Sequence, residues 1–311
     1  MKNKKTRYMT ILTAAIALSL TSCVKDELFN TPHPDLGAVI VTTDWSAKSA
    51  EAEIPQNYTL RMGTEEQAAS GIINTFKTLL PQGSYELTAY NPPEHIGISG
   101  NTATVGESEP GYMEPMPGYL FSAHQTIDVM ADDTLKVTVP VKQLVRLLNV
   151  ELTVTEGDYN RVQSATATLD GVASRIDIVT GERTTAAKSL NTLVQNGNKF
   201  TTSFRLLGII PTASQKLTVS ILFTNGDTQQ IESNISDKLA DFNDRTEAKT
   251  LTGELLYILF AVAAFSACSD DNQGEVVSQD LSYQLDANYV FVDIPEKFLF
   301  DPSNILYLEG K

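Results

Sequence analysis

The chain has 311 residues and a formal charge of −15, with 38 acidic residues against 23 basic ones. Nucleic acid and anionic membrane surfaces are excluded as electrostatic partners, because both require a basic face. The length allows two domains of ordinary size, each with its own core. The two cysteines, Cys23 and Cys268, cannot form a disulfide framework, so apolar burial must hold the fold together.

The first 22 residues have the order of a signal peptide. Lys2, Lys4, Lys5 and Arg7 form a basic region, and an uncharged apolar run follows over residues 11–20. A run of about ten residues is too short for a permanent membrane span, which needs roughly 20. The sequence therefore predicts an exported protein whose leader is removed.

The leader ends in a pattern that resembles the bacterial lipobox. Leu20, two small residues and Cys23 match an aliphatic residue, a small pair and the cysteine that is lipidated before cleavage. The alternative is a stray cysteine in a discarded leader, but Cys23 lies where the apolar run stops. We expect a lipid on Cys23 that attaches the mature chain to the outer membrane.

Three charged residues follow the predicted lipidation site. Lys25, Asp26 and Glu27 resemble the surface-export signal of Bacteroidota lipoproteins. A solvated charged linker is an equally good interpretation of the same residues. Placement in the outer membrane is therefore better supported than exposure on the outer surface.

Short runs with a period of two, separated by turns, fill the chain from residue 37 to residue 254. Such runs are typical of strands, and their spacing of about ten residues favours antiparallel β-sandwiches over βαβ units. The predicted strands lie at 38–43, 58–62, 84–90, 127–129, 135–139, 147–155, 164–169, 176–179, 200–207, 216–224 and 229–231.

Four local features qualify this pattern. Residues 64–80 are predicted to form a helix with Ile72, Ile73, Phe76, Leu79 and Leu80 facing inward, and residues 107–118 a long loop. Asp170-Gly171 is predicted to end a strand in a turn, and Asn225-Gly226 to form a hairpin. A predicted boundary at Pro140-Val141 divides the chain into two sandwich domains, residues 37–140 and 141–254. A lipidated linker at residues 23–36 precedes the first domain.

Few residues indicate catalysis or metal binding. His33, His95 and His124 lie far apart near predicted loops, without the spacing of a zinc site. Trp45 and Tyr58 could line a sugar-binding platform, but a single Trp after a strand is more often part of the core. The sequence has no phosphate loop or nucleophile elbow. We expect no enzyme activity, cofactor or metal.

Several blocks of sequence resemble the FimB-like fimbrial anchor lipoproteins of Bacteroidales, which are relatives of fimbrillin. The blocks cover most of residues 20–254 and carry framework patterns rather than catalytic signatures. They are the lipobox, residues 37–45, 80–85, 90–91, 139–146, 169–173 and 180–181.

The resemblance implies a fold, a role and partners. The fold is a pair of transthyretin-like antiparallel β-sandwich domains with Greek-key connections. The role is that of a pilus anchor or minor subunit, joined to fimbrial subunits by strand exchange and to the outer membrane by its lipid. The alternative function is a surface lipoprotein that binds a glycan or a host protein through one sandwich face, because sandwich folds host many functions.

The last part of the chain departs from this family pattern. Residues 255–264 form an apolar run that leads to Cys268, followed by Ser269, Asp270 and Asp271, like a second lipoprotein leader. Residues 255–311 are consistent with two merged lipoprotein genes, with an apolar strand or buried helix, or with a membrane-inserted segment. The sequence leaves these three interpretations open.

Overall fold

A computed structural model describes residues 35–155 and 157–255, and the backbone of residues 306–310. The predicted leader, Cys23, the triplet Lys25, Asp26 and Glu27, His33 and Cys268 all lie outside the described residues. Within the described residues the regular structure is strand, apart from three short 3₁₀ turns, which confirms the predicted all-β class. None of the helices in this part of the chain has the length and apolar character needed to cross a bilayer.

The first half, up to residue 143, consists of short strands. Strand β1 shows why they form: its side chains alternate between the core and the surface, and Val39 and Val41 are fully buried. The strands are β1 Leu36–Asp44, β2 Tyr58–Met62, β3 Glu65–Ala69, β4 Ile73–Thr75, β5 Leu80–Pro81, β6 Gly83–Tyr90, β7 Ile96–Ser99, β8 Thr102–Val105, β9 Glu107–Glu109, β10 Tyr112–Met113, β11 Phe121–Val129, β12 Thr134–Pro140 and β13 Lys142–Gln143.

The second half has longer strands and three short 3₁₀ turns. The strands are β14 Arg146–Val154, β15 Val162–Asp177, β16 Arg183–Thr192, β17 Val194–Asn196, β18 Lys199–Leu206, β19 Lys216–Phe223, β20 Thr228–Asn234, β21 Lys249–Leu255 and β22 Leu306–Gly310. The 3₁₀ turns are Tyr159–Arg161, Asp237–Leu239 and Phe242–Asp244. The predicted hairpin at Asn225-Gly226 is confirmed, since β19 and β20 pair across it.

Each half is a β-sandwich of two sheets over one apolar core. In the first sandwich, one sheet has the strand order β12-β1-β4, and β5 also pairs with β1. The facing sheet has the order β13-β11-β6-β2-β3. Val39, Leu60 and Phe121 belong to the core between the two sheets. In the second, β17-β18-β14-β21-β22 faces the sheet that contains β20-β19-β15-β16, over a core that includes Leu148 and Phe204. The predicted β-sandwich architecture is therefore confirmed; the transthyretin-like assignment stays a prediction.

The two sandwiches repeat one topology. Strand order β11-β6-β2-β3 in the first half corresponds to β20-β19-β15-β16 in the second, and β12-β1-β4 corresponds to β21-β14-β18. In both halves the first strand is central and pairs in parallel with the last strand, β1 with β12 and β14 with β21. These are the two parallel pairs between long strands in an otherwise mainly antiparallel structure.

An insertion between β6 and β11 connects the halves. Strand β8 pairs with β15 and β10 pairs with β16, so this segment extends a sheet of the second sandwich. Ile96, Ala103 and Met113 accordingly pack in the second core. The division of the body at Pro140-Val141 into two domains stays a prediction.

The predicted helix at residues 64–80 is wrong. Residues 65–69, 73–75 and 80–81 are strands, and Gly71 between the first two has a left-handed φ of +68°. Of the five side chains expected to face inward, Phe76 and Leu80 are buried, whereas Ile72, Ile73 and Leu79 are exposed. The segment makes a turn at Gly71 because its backbone pairs with β2 and β1, which a helix would prevent.

Two other local predictions also need correction. Asp170-Gly171 does not end a strand: β15 continues through a bulge there, and Gly171 has a φ of +72°. The long loop predicted at residues 107–118 contains the short strands β9 and β10, which pair with each other. In both places glycine provides a backbone conformation that serves a bulge or a tight hairpin as well as a turn.

Candidate strand-binding edge

The outer edge of β12 is open. Among the described residues, β12 pairs with β1 on one side and with no strand on the other. Strands β11 and β12 flank a turn at Asp132-Asp133, but they belong to different sheets. An edge of this kind leaves a row of backbone donors and acceptors to which another strand can bind.

The direction of the backbone groups in β12 follows from two hydrogen bonds at its ends. Ala38 N donates to Asp133 O at 2.9 Å, and Val141 N donates to Asp44 O at 2.8 Å. Odd-numbered residues of β12 therefore direct their backbone groups to β1, because successive residues alternate. The N–H and C=O groups of Lys136 and Thr138 consequently point to the open edge, whereas the N–H of Thr134 already donates to Asp133 Oδ1 at 2.7 Å.

The side chains beside this edge are incompletely covered. Leu135 and Val137 pack against the first core but are only partly buried, whereas Val139 is 1% exposed. At the start of the strand, Met130 is 54% exposed and Leu36 is 37% exposed. An incoming strand could bury apolar area here in addition to forming backbone hydrogen bonds.

The equivalent edge in the second half is covered. Strand β22 runs antiparallel to β21 along its outer side, from Leu251 opposite Gly310 to Leu255 opposite Leu306. The core side chains of β21 are fully shielded, with Leu251 at 0% and Leu255 at 1% exposure.

An ion pair holds the start of β21. Lys249 Nζ lies 2.7 Å from Asp241 Oδ1, and Arg245 lies 3.0 Å from the other carboxylate oxygen. Hydrogen bonds from Lys249 and then Arg245 lower the pKa of Asp241 from 3.8 to about 2.

A polar cleft of about 400 Å³ lies where loops of the second sandwich meet the outer face of the first. His124 Nε2 contacts Glu86 Oε2 at 2.8 Å, and Arg61 donates to Gly100 O and to Asn101 Oδ1. Arg61 therefore links the first sandwich to the turn between β7 and β8, which extends a sheet of the second sandwich.

One carboxylate beside the cleft has a shifted pKa. Burial of Asp177 favours its neutral form, but the backbone N–H groups of Thr180 and Val179 donate to the carboxylate at 2.8 Å. These bonds, with a smaller contribution from His124, lower the pKa of Asp177 overall. Asp177 therefore stabilises the tight turn after β15 in its ionised form.

The predicted core role of Trp45 is confirmed. Its ring is 8% exposed and makes edge contacts with Tyr58 at 5.8 Å and Phe121 at 5.5 Å between ring centroids. Its Nε1 donates to Thr43 Oγ1 at 2.9 Å. The two rings proposed as a sugar platform are thus buried together. His95 lies in the turn before β7, and His124 lies within β11 beside Glu86.

The open edge was not predicted from the sequence. The sequence predicts the strand at residues 135–139. A pattern of alternating residues does not show, however, which strands lie beside it. The one local signal is Pro140, which is found at edges and strand ends because it lacks a backbone N–H.

The described residues form two similar sandwiches, and this fold also occurs in solved structures of bacterial adhesion proteins. Two candidate adhesins from Bacteroides ovatus superpose with TM-scores of 0.55 and 0.56 at 14% and 9% identity. The alignments cover 72% and 71% of this chain and 91% and 88% of theirs. The fimbrial anchor protein Mfa2 from Porphyromonas gingivalis superposes with a TM-score of 0.50 at 10% identity, over 71% of this chain and 91% of that one.

The family profile of the fimbrillin-A associated anchor proteins Mfa1 and Mfa2 matches residues 47–287. The chain belongs to this family, which confirms the predicted resemblance. The matched range includes the segment around Cys268, whose three interpretations stay predictions. No curated protein sequence is similar enough to this chain to count as a match.

Proposed function

We propose that the protein is an outer-membrane lipoprotein that anchors a fimbrium or forms one of its minor subunits. Membership of the fimbrillin-associated anchor family is the observation that carries this proposal. The predicted lipid on Cys23 would attach the chain to the membrane, and the triplet Lys25, Asp26 and Glu27 would direct it to the outer surface. The two sandwiches would then extend away from the lipid.

Fimbrial subunits would join the protein by strand addition. In this mode backbone hydrogen bonds provide affinity, and alternate side chains that fill pockets provide specificity. The open edge of β12 supports the proposal, because it combines unpaired backbone groups with partly exposed apolar side chains. The pairing of β22 with the outer edge of β21 also supports the proposal, because β21 occupies the corresponding place in the second sandwich.

Replacing Cys23 with alanine tests the anchoring role. We expect the variant to incorporate no labelled fatty acid and to leave the membrane fraction, since Cys23 is the predicted lipidation site of the mature chain. Fimbriae that depend on this protein should then be shed into the medium. The conservative Val24→Ala variant, next to the lipidation site, should retain both lipid and fimbriae. Fatty-acid labelling of Cys23→Ala at the wild-type level would contradict the lipobox assignment.

Replacing Lys25, Asp26 and Glu27 together with alanine tests surface display. The variant should still carry the lipid, because the lipobox is intact, but it should be protected from protease added to whole cells. Protease digestion of permeabilised cells provides the control, since the protein should be cleaved there. Unchanged cleavage in intact cells would show that the triplet is an ordinary charged linker.

A further inference from the structure

Strands β1 and β12 form a long parallel ladder in the first sandwich. Seven consecutive residue pairs hold the two strands in register. Hydrogen bonds close the ladder at both ends: Ala38 N donates to Asp133 O at 2.9 Å, and Val141 N donates to Asp44 O at 2.8 Å. The hydrogen bonds of a parallel pair are evenly spaced, so none of them is set apart from the others along the strand.

Strand β1 is also fixed on its other side and in the core. Its odd-numbered residues bond to the residues that flank β4: Phe76 N donates to Val39 O at 2.8 Å, and Thr43 N donates to Ile72 O at 2.9 Å. The side chains of Val39 and Val41 are fully buried. Strand β1 therefore cannot slide along β12 without breaking backbone hydrogen bonds on both sides and core contacts.

The connectivity decides in which direction a pulling force acts on this ladder. In the proposed function, tension enters β1 at its first residue, Leu36, because the lipid-bearing Cys23 precedes it in the sequence. At the other end, the chain continues from Pro140 through β13 into the second sandwich. Since the strands are parallel, the start of β1 and the end of β12 lie at opposite ends of the ladder. Tension between these two points acts along the strands, in shear.

The direction of the force determines how a ladder breaks. A force applied to the same end of both strands falls on one terminal hydrogen bond, and the bonds then open in sequence. A force applied at opposite ends is shared by the evenly spaced bonds, so several of them must break in the same event. Shear therefore slows forced unfolding, which is governed by the unfolding rate.

We propose that the β1–β12 ladder is a mechanical clamp, which keeps the first sandwich folded when a fimbrium pulls against the lipid. This inference rests on the proposed function, from which it takes the point where the force enters. The second sandwich repeats the geometry, since β14 pairs in parallel with β21 through seven residue pairs. A force that continued to the end of β21 would meet a second ladder of the same kind.

Pulling the same chain from either end of β12 tests the clamp. The mature chain without its lipid is held by the thiol of Cys23 and by a second thiol, from Lys142→Cys just after β12 or from Thr134→Cys at its start. Both positions are exposed, and Cys268→Ala removes the competing thiol. Lys142→Cys loads the ladder in shear, whereas Thr134→Cys opens it from one end. Single-molecule force spectroscopy should give a rupture force about twofold or more higher for Lys142→Cys at the same pulling rate.

The two variants control for each other. Their melting curves should coincide, because each changes one exposed side chain, so a difference in rupture force reports the direction of pulling alone. Equal rupture forces, or a lower force for Lys142→Cys, would overturn the clamp and leave the proposed function intact, since the measurement uses isolated protein without fimbriae. Fatty-acid labelling of Cys23→Ala would instead contradict the proposed function, and the force comparison would still decide how the ladder resists shear.

Discussion

Phe121→Ala is expected to lower the free energy of unfolding by about 3–5 kcal/mol, the range for removing a large aromatic side chain from a core. Phe121 is 1% exposed and packs edge-on against Trp45 in the first core. Its loss leaves a cavity between the two sheets that the surrounding strands can close only partly. Denaturant unfolding followed by tryptophan fluorescence measures the effect, since Trp45 is the single tryptophan of the chain and lies at the site.

A conservative variant separates packing from other effects. Phe121→Leu keeps most of the apolar volume, so it should lose considerably less stability than Phe121→Ala. The backbone N–H of Phe121, which donates to Asn91 Oδ1 at 2.7 Å, is the same in both variants. Equal stabilities for alanine and phenylalanine at this position would mean that the first core is not packed as described.

Gly171→Ala should destabilise the second sandwich by roughly 2–4 kcal/mol, through a left-handed backbone and a steric clash. Gly171 has a φ of +72°, and an added Cβ would lie 2.5 Å from Ser214 O. That oxygen belongs to backbone, so relieving the contact requires the bulge in β15 to shift. Thermal and denaturant unfolding of the variant would measure the loss.

Gly181 provides a matched control for this prediction. Its φ of +76° is nearly the same, but an added Cβ would have no described atom within 4 Å. Gly181→Ala should therefore show the backbone penalty alone, roughly 1–2 kcal/mol. Similar losses for the two variants would contradict the close approach of Gly171 to Ser214.

The sequence predicts individual strands well and their partners poorly. Residues 58–62 are a strand with the predicted bounds, because alternation and the following Gly63 are both local signals. The helix predicted at residues 64–80 failed because apolar residues at helical spacing outweighed Gly71, and because the pairing of β4 with β1 is a long-range contact. Asp170-Gly171 failed for a similar reason, since a glycine with positive φ fits both a turn and a bulge.

The open edge of β12 is the feature that the sequence predicts least well. Alternation over residues 135–139 identifies a strand and its core face, but it contains no information about which strand, if any, lies beside it. The open edge follows from the long-range pairing of β12 with β1, which the folded structure gives directly. The predicted lipidation and export residues, by contrast, are linear motifs and can be read from sequence without any fold.

The parallel pairing of first and last strands has a consequence for how the chain folds. β1 cannot complete its sheet until β12 has been made, and β14 likewise waits for β21. Contacts between residues so distant in sequence make folding slow, in the range of milliseconds to seconds for β-rich domains. A chain that is synthesised from its N-terminus therefore cannot complete either sandwich until the last strand of that sandwich, β12 or β21, is available.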